Sequence, residues 1–214
     1  WYRSVYAYKE PNKKITPILN FTNIPIYNAN KQLDDEVIKI IFARRFCDYR
    51  GTRIFAEAID KILTAYQNIE VTIAGEGPDE SYLRQKLGKH NNVSFLKYLS
   101  SETLQIHKDN HIAVIPTLGS EGTSLSLLEA MASNCAVICT NVCGMTNIVL
   151  DHYNGLMIDP NSKDLFDSLC ELIENKSLRM NIAKNAYESA RETFSLSRWQ
   201  RQWKKLIEEV SDDT

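Results

Sequence analysis

The strongest signal in the sequence is a repeated alternation of short apolar runs with polar turns and helical patterns. Six such runs follow Glu36, and each has the length of a buried strand. Parallel neighbours in a sheet are joined by long right-handed crossovers, so this alternation predicts a parallel sheet covered on both faces. The expected fold class is α/β, a Rossmann-like doubly wound parallel sheet of about six strands. The runs are residues 37–43, 70–75, 92–97, 111–116, 135–140 and 155–158.

The helical patterns fit this architecture. One face of the first helix carries five apolar side chains, and we expect it to pack on the sheet. They are Ile54, Phe55, Ala58, Ile62 and Leu63. Three extra helical segments close the chain after the last strand, at residues 162–175, 177–194 and 197–210. Ligands of doubly wound sheets bind at the carboxyl ends of the strands, so chemistry is expected in the loops after the first five runs.

The two ends of the chain differ from its middle. Residues 1–30 hold turn formers without a helical period, which predicts an interdomain linker and a missing N-terminal domain upstream. Residues 31–194 form the predicted Rossmann-like domain, and residues 195–214 form an amphipathic helix. Its apolar stripe includes Trp199 and Trp203, with Arg198 and Arg201 among its basic residues. We expect this helix to pack on the same or a neighbouring domain, with a membrane-surface helix as the alternative.

Composition excludes several classes of function. The 214 residues carry a formal net charge of -2, which gives no electrostatic reason to expect nucleic acid or anionic lipid as a partner. No apolar run reaches the roughly 20 residues of a membrane span, and the first residues do not resemble a signal peptide. We therefore expect a soluble, cytoplasmic protein with at most peripheral membrane contact at the inner face.

No metal site is predicted. The spacing of Cys135, Cys139 and Cys143 matches no zinc pattern, and all five cysteines are interpreted as reduced core thiols. His107 and His111 are four residues apart, but the glutamate of a metalloprotease helix is missing between them. Solvated surface histidines are the expected outcome.

The most informative stretch is residues 112–140, which reads as strand, loop, helix and strand. The loop is predicted to turn into the helix near Glu121, leaving the backbone N–H groups of about Gly122 to Leu125 free for an anion. Thr123 and Ser124 add hydroxyl donors. Glu129 follows eight residues after Glu121, and two separated carboxylates suit the hydroxyl pairs of two sugar rings. The spacing alone is weak evidence, but Glu129 lies in an apolar helix and requires a partner.

Two further loops face the same predicted edge. The first holds Arg44, Arg45 and Arg50, whose guanidinium groups can bind phosphate oxygens, while Arg44 or Arg45 is expected to pair with Asp48. In the second, Gly75 and Gly77 lack the third glycine of a dinucleotide fingerprint. These two glycines either let a base or ribose approach the backbone or simply form the turn.

Taken together, these segments resemble the donor domain of family 4 glycosyltransferases, the retaining group with the GT-B fold of two facing Rossmann-like domains. The most specific part is PTLGSEGTSLSLLEAMASNCAVICT, which is similar to the family's PS-x-EG and EAMA segment with its E-x7-E pair. The family's GRL-x-x-x-KG pattern falls on Arg44, Arg45 and Phe46 and then on Arg50 and Gly51. Its GxGP turn resembles the segment that begins at Gly75.

The resemblance implies a role for each position. Glu121 would hold the transferred sugar and Glu129 the ribose, while Arg45 and Arg50 would clamp the diphosphate. Gly122 to Leu125 would bind phosphate through backbone amides. The remaining candidates would lie beside the base, sugar or phosphate: Arg44, Gly75, Gly77, Lys97, Tyr98 and Gly144.

The sequence departs from the family pattern at several of these positions. Arg44, Ser124 and Asn147 replace a glycine, a glycine and a glutamate, and Arg50 replaces a lysine. Arginine keeps the positive charge of lysine but changes its reach, which puts the precise phosphate geometry in doubt. Ser124 implies a slightly different or strained loop.

The function implied by the resemblance is transfer of a sugar from a nucleoside-diphosphate sugar, with a UDP-sugar as the first expectation, to a hydroxyl acceptor with retention. The product would be a surface polysaccharide or glycolipid, and the acceptor a sugar or a lipid-linked sugar. No cofactor is expected beyond this donor substrate. The acceptor site belongs to the missing domain, so this chain alone is expected to be inactive. The alternatives are a separately encoded donor-binding subunit and a nucleotide-sugar epimerase.

Overall fold

The computed structural model describes residues 16–25, 36–119 and 121–212. It contains a six-stranded sheet in the order β3-β2-β1-β4-β5-β6, in which every pairing is parallel. This is the strand order of a classical dinucleotide-binding domain. The strands are β1 Ile38–Ala43, β2 Ile69–Ala74, β3 Val93–Leu96, β4 Ile112–Ile115, β5 Ala136–Thr140 and β6 Leu156–Ile158. The predicted fold class and all six predicted strands are confirmed.

Seven α-helices lie within the described residues, and they follow the strands in the predicted alternation. They are α1 Thr52–Ala65, α2 Glu80–Leu87, α3 Thr103–Lys108, α4 Leu125–Ala132, α5 Ser162–Glu174, α6 Lys176–Thr193 and α7 Leu196–Asp212. Short 3-10 turns at Asp48–Arg50, Ser100–Glu102 and Cys143–Asn147 occupy loops at the carboxyl ends of β1, β3 and β5. Within the described residues, every helix is too short or too polar to cross a lipid bilayer.

The sheet is buried on both faces because its side chains alternate between two apolar clusters. In β1, Ile40 and Phe42 point to the cluster that includes α1, α2 and α5, whereas Ile41 points to the cluster that includes α4 and α6. The Phe42 and Phe55 rings stack with centroids 4.4 Å apart, which joins β1 to α1. The predicted inner face of α1 is confirmed at Phe55, Ala58, Ile62 and Leu63, while Ile54 is partly buried.

The C-terminal helices extend this core. Arg179 of α6 is buried and donates to the carbonyl oxygens of Leu172 and Ile173, which satisfies the end of α5. Residues 16–25 lie against the junction of α6 and α7, where Thr22 N donates to Phe194 O at 2.9 Å and Phe21 contacts Trp199.

The apolar stripe of α7 is only partly covered. Trp203, Ile207 and Val210 remain exposed, with the last two at 60%. Neither of the two predicted roles for the helix is tested by this arrangement. The predicted boundary at residue 30 and the start of the linker lie outside the described residues.

Two expectations about histidine and cysteine side chains are wrong. His107 and His111 are buried rather than solvated, because α3 packs on the sheet and His111 immediately precedes the central strand β4. His107 Nδ1 lies 2.6 Å from Thr103 O, and His111 Nδ1 accepts from Lys39 N. Cys143 is exposed in the loop after β5 and is therefore not a core thiol.

A charged cluster between α1 and α2 gives a first testable prediction. Asp60 lies within 3.2 Å of Lys86, Lys89 and His90. Burial raises the pKa of Asp60, but hydrogen bonds from these three partners outweigh it and hold the pKa well below its usual range. Because the pKa of Asp60 is lower in the folded chain than in the unfolded chain, its charge stabilises the fold at pH values above the unfolded-state pKa, which is near 4. This stabilisation is lost as the pH falls from there through the folded-state pKa.

Asp60→Asn is expected to lower the free energy of unfolding by only about 1 kcal/mol at pH 7, because the side chains of Lys86 and Lys89 are 39% and 61% exposed and solvent screens their charges. Urea unfolding at pH 7 and pH 3 checks this, and the difference between parent and variant should shrink at pH 3. An equal difference at both pH values would contradict the assignment. Asp167→Asn, which removes an exposed pair on α5, is the control.

Candidate functional site

The loops after β1 and β4 meet at the carboxyl edge of the sheet, where the strand order reverses. Leu118 N donates to Tyr49 O at 2.9 Å, which ties the two loops together. Gly51 adopts a left-handed conformation with φ 79°, and a Cβ atom there would overlap the carbonyl oxygen of Pro116. The close approach therefore requires glycine. This contact brings the arginines of one loop to the glutamate of the other.

Glu121 lies between two arginines of the β1 loop. Its Oε2 atom is 3.3 Å from Arg44 Nη2 and also forms an ion pair with Arg50 Nη1. The Arg44 side chain is 4% exposed, whereas that of Arg50 is 25% exposed. Arg45 is exposed instead. The expected ion pair of Arg44 or Arg45 with Asp48 is wrong, because Asp48 pairs with Arg53 and Arg44 pairs with Glu121. The structure thus joins Glu121 to Arg44 and Arg50 and leaves Arg45 accessible beside them.

The buried Arg44 guanidinium group lies in an environment that disfavours its positive charge. Burial and the neighbouring Arg50 lower the pKa of Arg44 to about 10, against the opposing effect of Glu121. At neutral pH Arg44 remains charged, so one carboxylate faces two guanidinium groups. The surplus positive charge makes this edge attractive to an anion.

Glu129 lies deeper in the same region, on the half-buried side of α4. Burial raises the pKa of its carboxyl to about 7, partly offset by a hydrogen bond with Thr103. Thr103 at the start of α3 therefore supplies a hydrogen-bond partner to Glu129, and its hydroxyl also lies 3.3 Å from Ser100 O. Burial and the charge of Glu129 raise the pKa of Tyr98, and the charge of Arg44 opposes this rise.

The helix after β4 begins later than predicted. Its N-cap is Ser124 and its first residue is Leu125, so the segment from Glu121 is an irregular loop. Leu128 N donates to Ser124 O, which leaves the amides of residues 125–127 as the unpaired helix start. The predicted helix start near Glu121 is thus corrected to Leu125, while the binding of phosphate by the amides of Gly122 to Leu125 stays a prediction. Helix periodicity could not locate this boundary because Ser124 and Leu125 are compatible with either structure.

The hydroxyl groups of this loop have local partners. Thr123 Oγ1 accepts a long 3.5 Å hydrogen bond from Asn20 N, and Ser124 Oγ lies 3.3 Å from Ser126 Oγ. Gly122 is exposed, and no heavy atom of the described residues would lie within 4 Å of a Cβ atom there. Ser120 lies outside the described residues.

Gly144 supports the Glu121 segment from the loop after β5. Its N–H donates to Glu121 O at 2.9 Å, and a Cβ atom would overlap the carbonyl oxygen of Gly122. A cleft of about 850 Å³ opens beside this contact. Its lining includes Glu121, Gly122, Gly144, Asn147, Arg198 and Trp199.

The glycines of the second loop support the arginine loop. Gly75 has φ 137°, and a Cβ atom there would overlap Arg44 O, while one on Gly77 would overlap Phe46 O. Phe46 N donates to Glu76 O at 2.9 Å, so the two loops are also hydrogen-bonded. These contacts favour the turn-forming interpretation of both glycines over close approach to a ligand.

Lys97 and Tyr98 follow β3 but differ in setting. Lys97 is exposed and pairs with the exposed Glu76 carboxylate at 2.9 Å. Tyr98 is half-buried and packs against the cluster that contains α4. Tyr98 therefore lies on the side of Glu129, whereas Lys97 lies at the surface near the glycine turn.

Three contributors to the site were not predicted from sequence. Thr103 carried no signal, since a threonine at a helix start is common. Arg198 and Trp199 were recognised in the last helix, but no pattern related that helix to the cleft. Their contact with residues 16–25 arises only in the folded chain.

The strand order defines a Rossmann-like domain, and its ligand edge carries Arg44, Arg50 and Glu121. Residues 23–189 match the family model described as "Glycosyl transferases group 1". The chain belongs to this family. It spans about half the length of the curated relatives that it matches.

One curated relative is the N,N'-diacetylbacillosaminyl-diphospho-undecaprenol alpha-1,3-N-acetylgalactosaminyltransferase of Campylobacter jejuni. It is 27% identical over 83% of this chain and 46% of its own length.

Two solved structures show the same fold. The C-terminal domain of the group 1 glycosyltransferase LpcC from Francisella tularensis matches with a TM-score of 0.67 and 28% identity, over 84% of this chain and 96% of that one. TarM of Staphylococcus aureus, solved with UDP and α-GlcNAc-glycerol, has a TM-score of 0.81 and 23% identity, over 95% of this chain and 41% of that one. The match to LpcC fits the assignment of this chain as a C-terminal domain.

Proposed function

We propose that this chain is the donor-binding domain of a retaining glycosyltransferase and binds a nucleoside-diphosphate sugar at the edge formed by the β1 and β4 loops. The observation that carries the proposal is the arrangement of Arg44 and Arg50 around Glu121, directly before the start of α4. The helix start and the surplus cation attract a diphosphate at the same place. UDP is the first nucleotide to test, because TarM was solved with it.

The proposed chemistry is electrostatic. As the bond between sugar and diphosphate breaks, negative charge grows on the leaving diphosphate. Arg45, Arg50 and the amides at the start of α4 would stabilise that charge in the transition state. Guanidinium groups suit this task because they stay charged and offer two parallel donors to phosphate oxygens.

The two glutamates would bind hydroxyl groups. Glu121 borders the 850 Å³ cleft, which has room for the transferred sugar, and its carboxylate can accept two hydrogen bonds. Glu129 would accept from the ribose hydroxyls, with Tyr98 nearby. Both residues are hydroxyl holders in this proposal, and neither acts as a general base.

Transfer would require a second domain that carries the acceptor. We expect this domain to precede the present one and to hold a sugar or a lipid-linked acceptor. The Campylobacter relative has a lipid-linked acceptor in its name. A surface polysaccharide or glycolipid is the corresponding product. The chain alone is expected to bind its donor without transferring sugar.

A donor-binding subunit encoded separately from its acceptor domain is the second candidate. The donor-binding site would be the same in both candidates, so the coding sequence upstream of this chain is what distinguishes the subunit from the single-chain enzyme. A second Rossmann-like domain in the same reading frame upstream supports the single-chain enzyme, and a start codon near Trp1 supports the subunit. The epimerase alternative is disfavoured because the chain matches the glycosyltransferase family model over residues 23–189.

Titration calorimetry of the chain with UDP, GDP and ADP tests the donor site. At least one nucleotide is expected to bind, and Arg50→Ala is expected to weaken that binding about tenfold, since hydrogen bonds between charged groups contribute about 1.5 kcal/mol or more. Arg45→Ala should weaken it to a similar extent if Arg45 also clamps the diphosphate.

Arg53→Ala is the matched control, because Arg53 lies one turn further along and pairs with Asp48 outside the site. It should bind nucleotide like the parent. Equal binding by Arg50→Ala and the parent would refute the clamp assignment. Absence of binding by the parent to all three nucleotides would refute the donor-binding function itself.

A further inference from the structure

Arg44 is a buried cation at a position where the family pattern has a glycine. Only 6% of the residue is exposed, and its guanidinium group is incompletely paired. Nη2 contacts Glu121, but Nε and Nη1 are buried and have no hydrogen-bond partner among the described residues. Buried donors without a hydrogen-bond partner lower the stability of the fold. An apolar side chain at this position would therefore stabilise the fold more than Arg44 does. A functional role explains the presence of Arg44 at this position better than a contribution to stability does.

The two arginines that share Glu121 differ in access. Arg50 is the more exposed and stacks over the Tyr49 ring at 5.1 Å, in a position that an incoming anion can reach. Arg44 is enclosed behind it, at the end of β1 and against the Gly75 turn. Glu121 therefore occupies the Arg50 guanidinium group that a diphosphate would need.

We infer that Arg44 is a positioning residue that retains Glu121 when Arg50 exchanges the Glu121 carboxylate for the donor diphosphate. The inference rests on the proposed donor-binding function and specifies how the site exchanges partners. Before binding, the Glu121 carboxylate competes with diphosphate for Arg50. After binding, Arg44 holds the carboxylate beside the cleft, where it accepts the sugar hydroxyls.

The proposed exchange predicts that variants of Glu121 and Arg44 affect the binding of a bare nucleoside diphosphate and of a nucleotide sugar differently. Removal of the Glu121 charge frees Arg50 and should strengthen the binding of a bare nucleoside diphosphate. Removal of Arg44 leaves Arg50 as the sole cationic partner of Glu121, which holds Arg50 away from the diphosphate and leaves the carboxylate misplaced for the sugar. A purely structural role of Arg44 would weaken both ligands equally.

The experiment is calorimetry with UDP, GDP and ADP and with the glucose conjugate of whichever nucleotide binds most tightly. Glu121→Gln keeps the shape of the side chain and is expected to bind the bare nucleotide about fivefold more tightly than the parent, with no such gain for the conjugate. Arg44→Gly is expected to lower the preference for the conjugate over the bare nucleotide about fivefold. Arg44→Lys, which keeps the charge, should restore most of that preference.

Weaker or unchanged binding of the bare nucleotide by Glu121→Gln would overturn the inference. This variant tests the inference even if Arg44→Gly does not fold. An unchanged preference in a folded Arg44→Gly would also overturn it. In both cases nucleotide binding by the parent would leave the proposed function standing. Failure of the parent to bind any of the three nucleotides would overturn both.

Discussion

Gly144→Ala is expected to lower the affinity for the donor sugar nucleotide about a hundredfold while the sheet stays folded. The added methyl group would overlap the carbonyl oxygen of Gly122, so the segment from Glu121 to the start of α4 must move. That segment carries the carboxylate and leads directly into the amides proposed to bind phosphate. The loss of two hydrogen bonds to charged groups, at about 1.5 kcal/mol each, would give an effect of this size.

Calorimetry with the tightest-binding nucleotide sugar measures the loss, and circular dichroism reports whether the fold is intact. Gly119→Ala is the matched control in the loop after β4, because no heavy atom of the described residues lies within 4 Å of its added Cβ atom. It should bind like the parent. Unchanged affinity in Gly144→Ala would mean that this contact does not fix the position of Glu121.

Glu129→Gln is expected to stabilise the chain at pH 8 by an amount on the order of 2 kcal/mol and to have little effect at pH 4. Burial raises the pKa of Glu129 to about 7, so the folded chain binds a proton that the unfolded chain releases near pH 4.5. The stability of the parent therefore falls as the pH rises from about 4.5 to 7 and is constant above that range. Glutamine keeps the shape and has no charge to bury.

Urea unfolding of parent and variant across this pH range gives the comparison. The same variant should bind nucleotide more weakly, because the ribose loses a carboxylate acceptor, so the gain in stability would accompany a loss of function. Glu102→Gln is a control, since Glu102 is exposed and its side chain accepts a hydrogen bond from the nearby Leu99 N. A constant difference between parent and Glu129→Gln at all pH values would contradict the buried carboxylate.

The fold was predictable because its signals are local and repeated. Each strand is a short apolar run followed by a turn, and β1 shows why the assignment is secure, since all but one of its six residues are buried. The start of α4 was less predictable. The apolar pattern begins only at Leu125, and the preceding glycine and serine residues permit both a loop and an early helix turn.

The contacts within the site were harder to anticipate than its location. The sequence places Arg44, Arg45 and Arg50 in one loop, but it does not say which guanidinium group is buried. That depends on the close approach of residues 49–51 to residues 116–118 and on the turn after β2. The pairing of Glu129 with Thr103 likewise joins two helices that no spacing relates.

The turn after β2 has a practical consequence for protein engineering. The backbone of the arginine loop is shaped by Gly75 and Gly77, which lie about thirty positions further along the chain and leave no space for a side chain against Arg44 and Phe46. The arginine loop therefore cannot be transferred to another protein on its own. A chimera that imports residues 44–51 into another Rossmann-like scaffold needs the matching glycine turn on the adjacent strand, or the arginines will project in different directions.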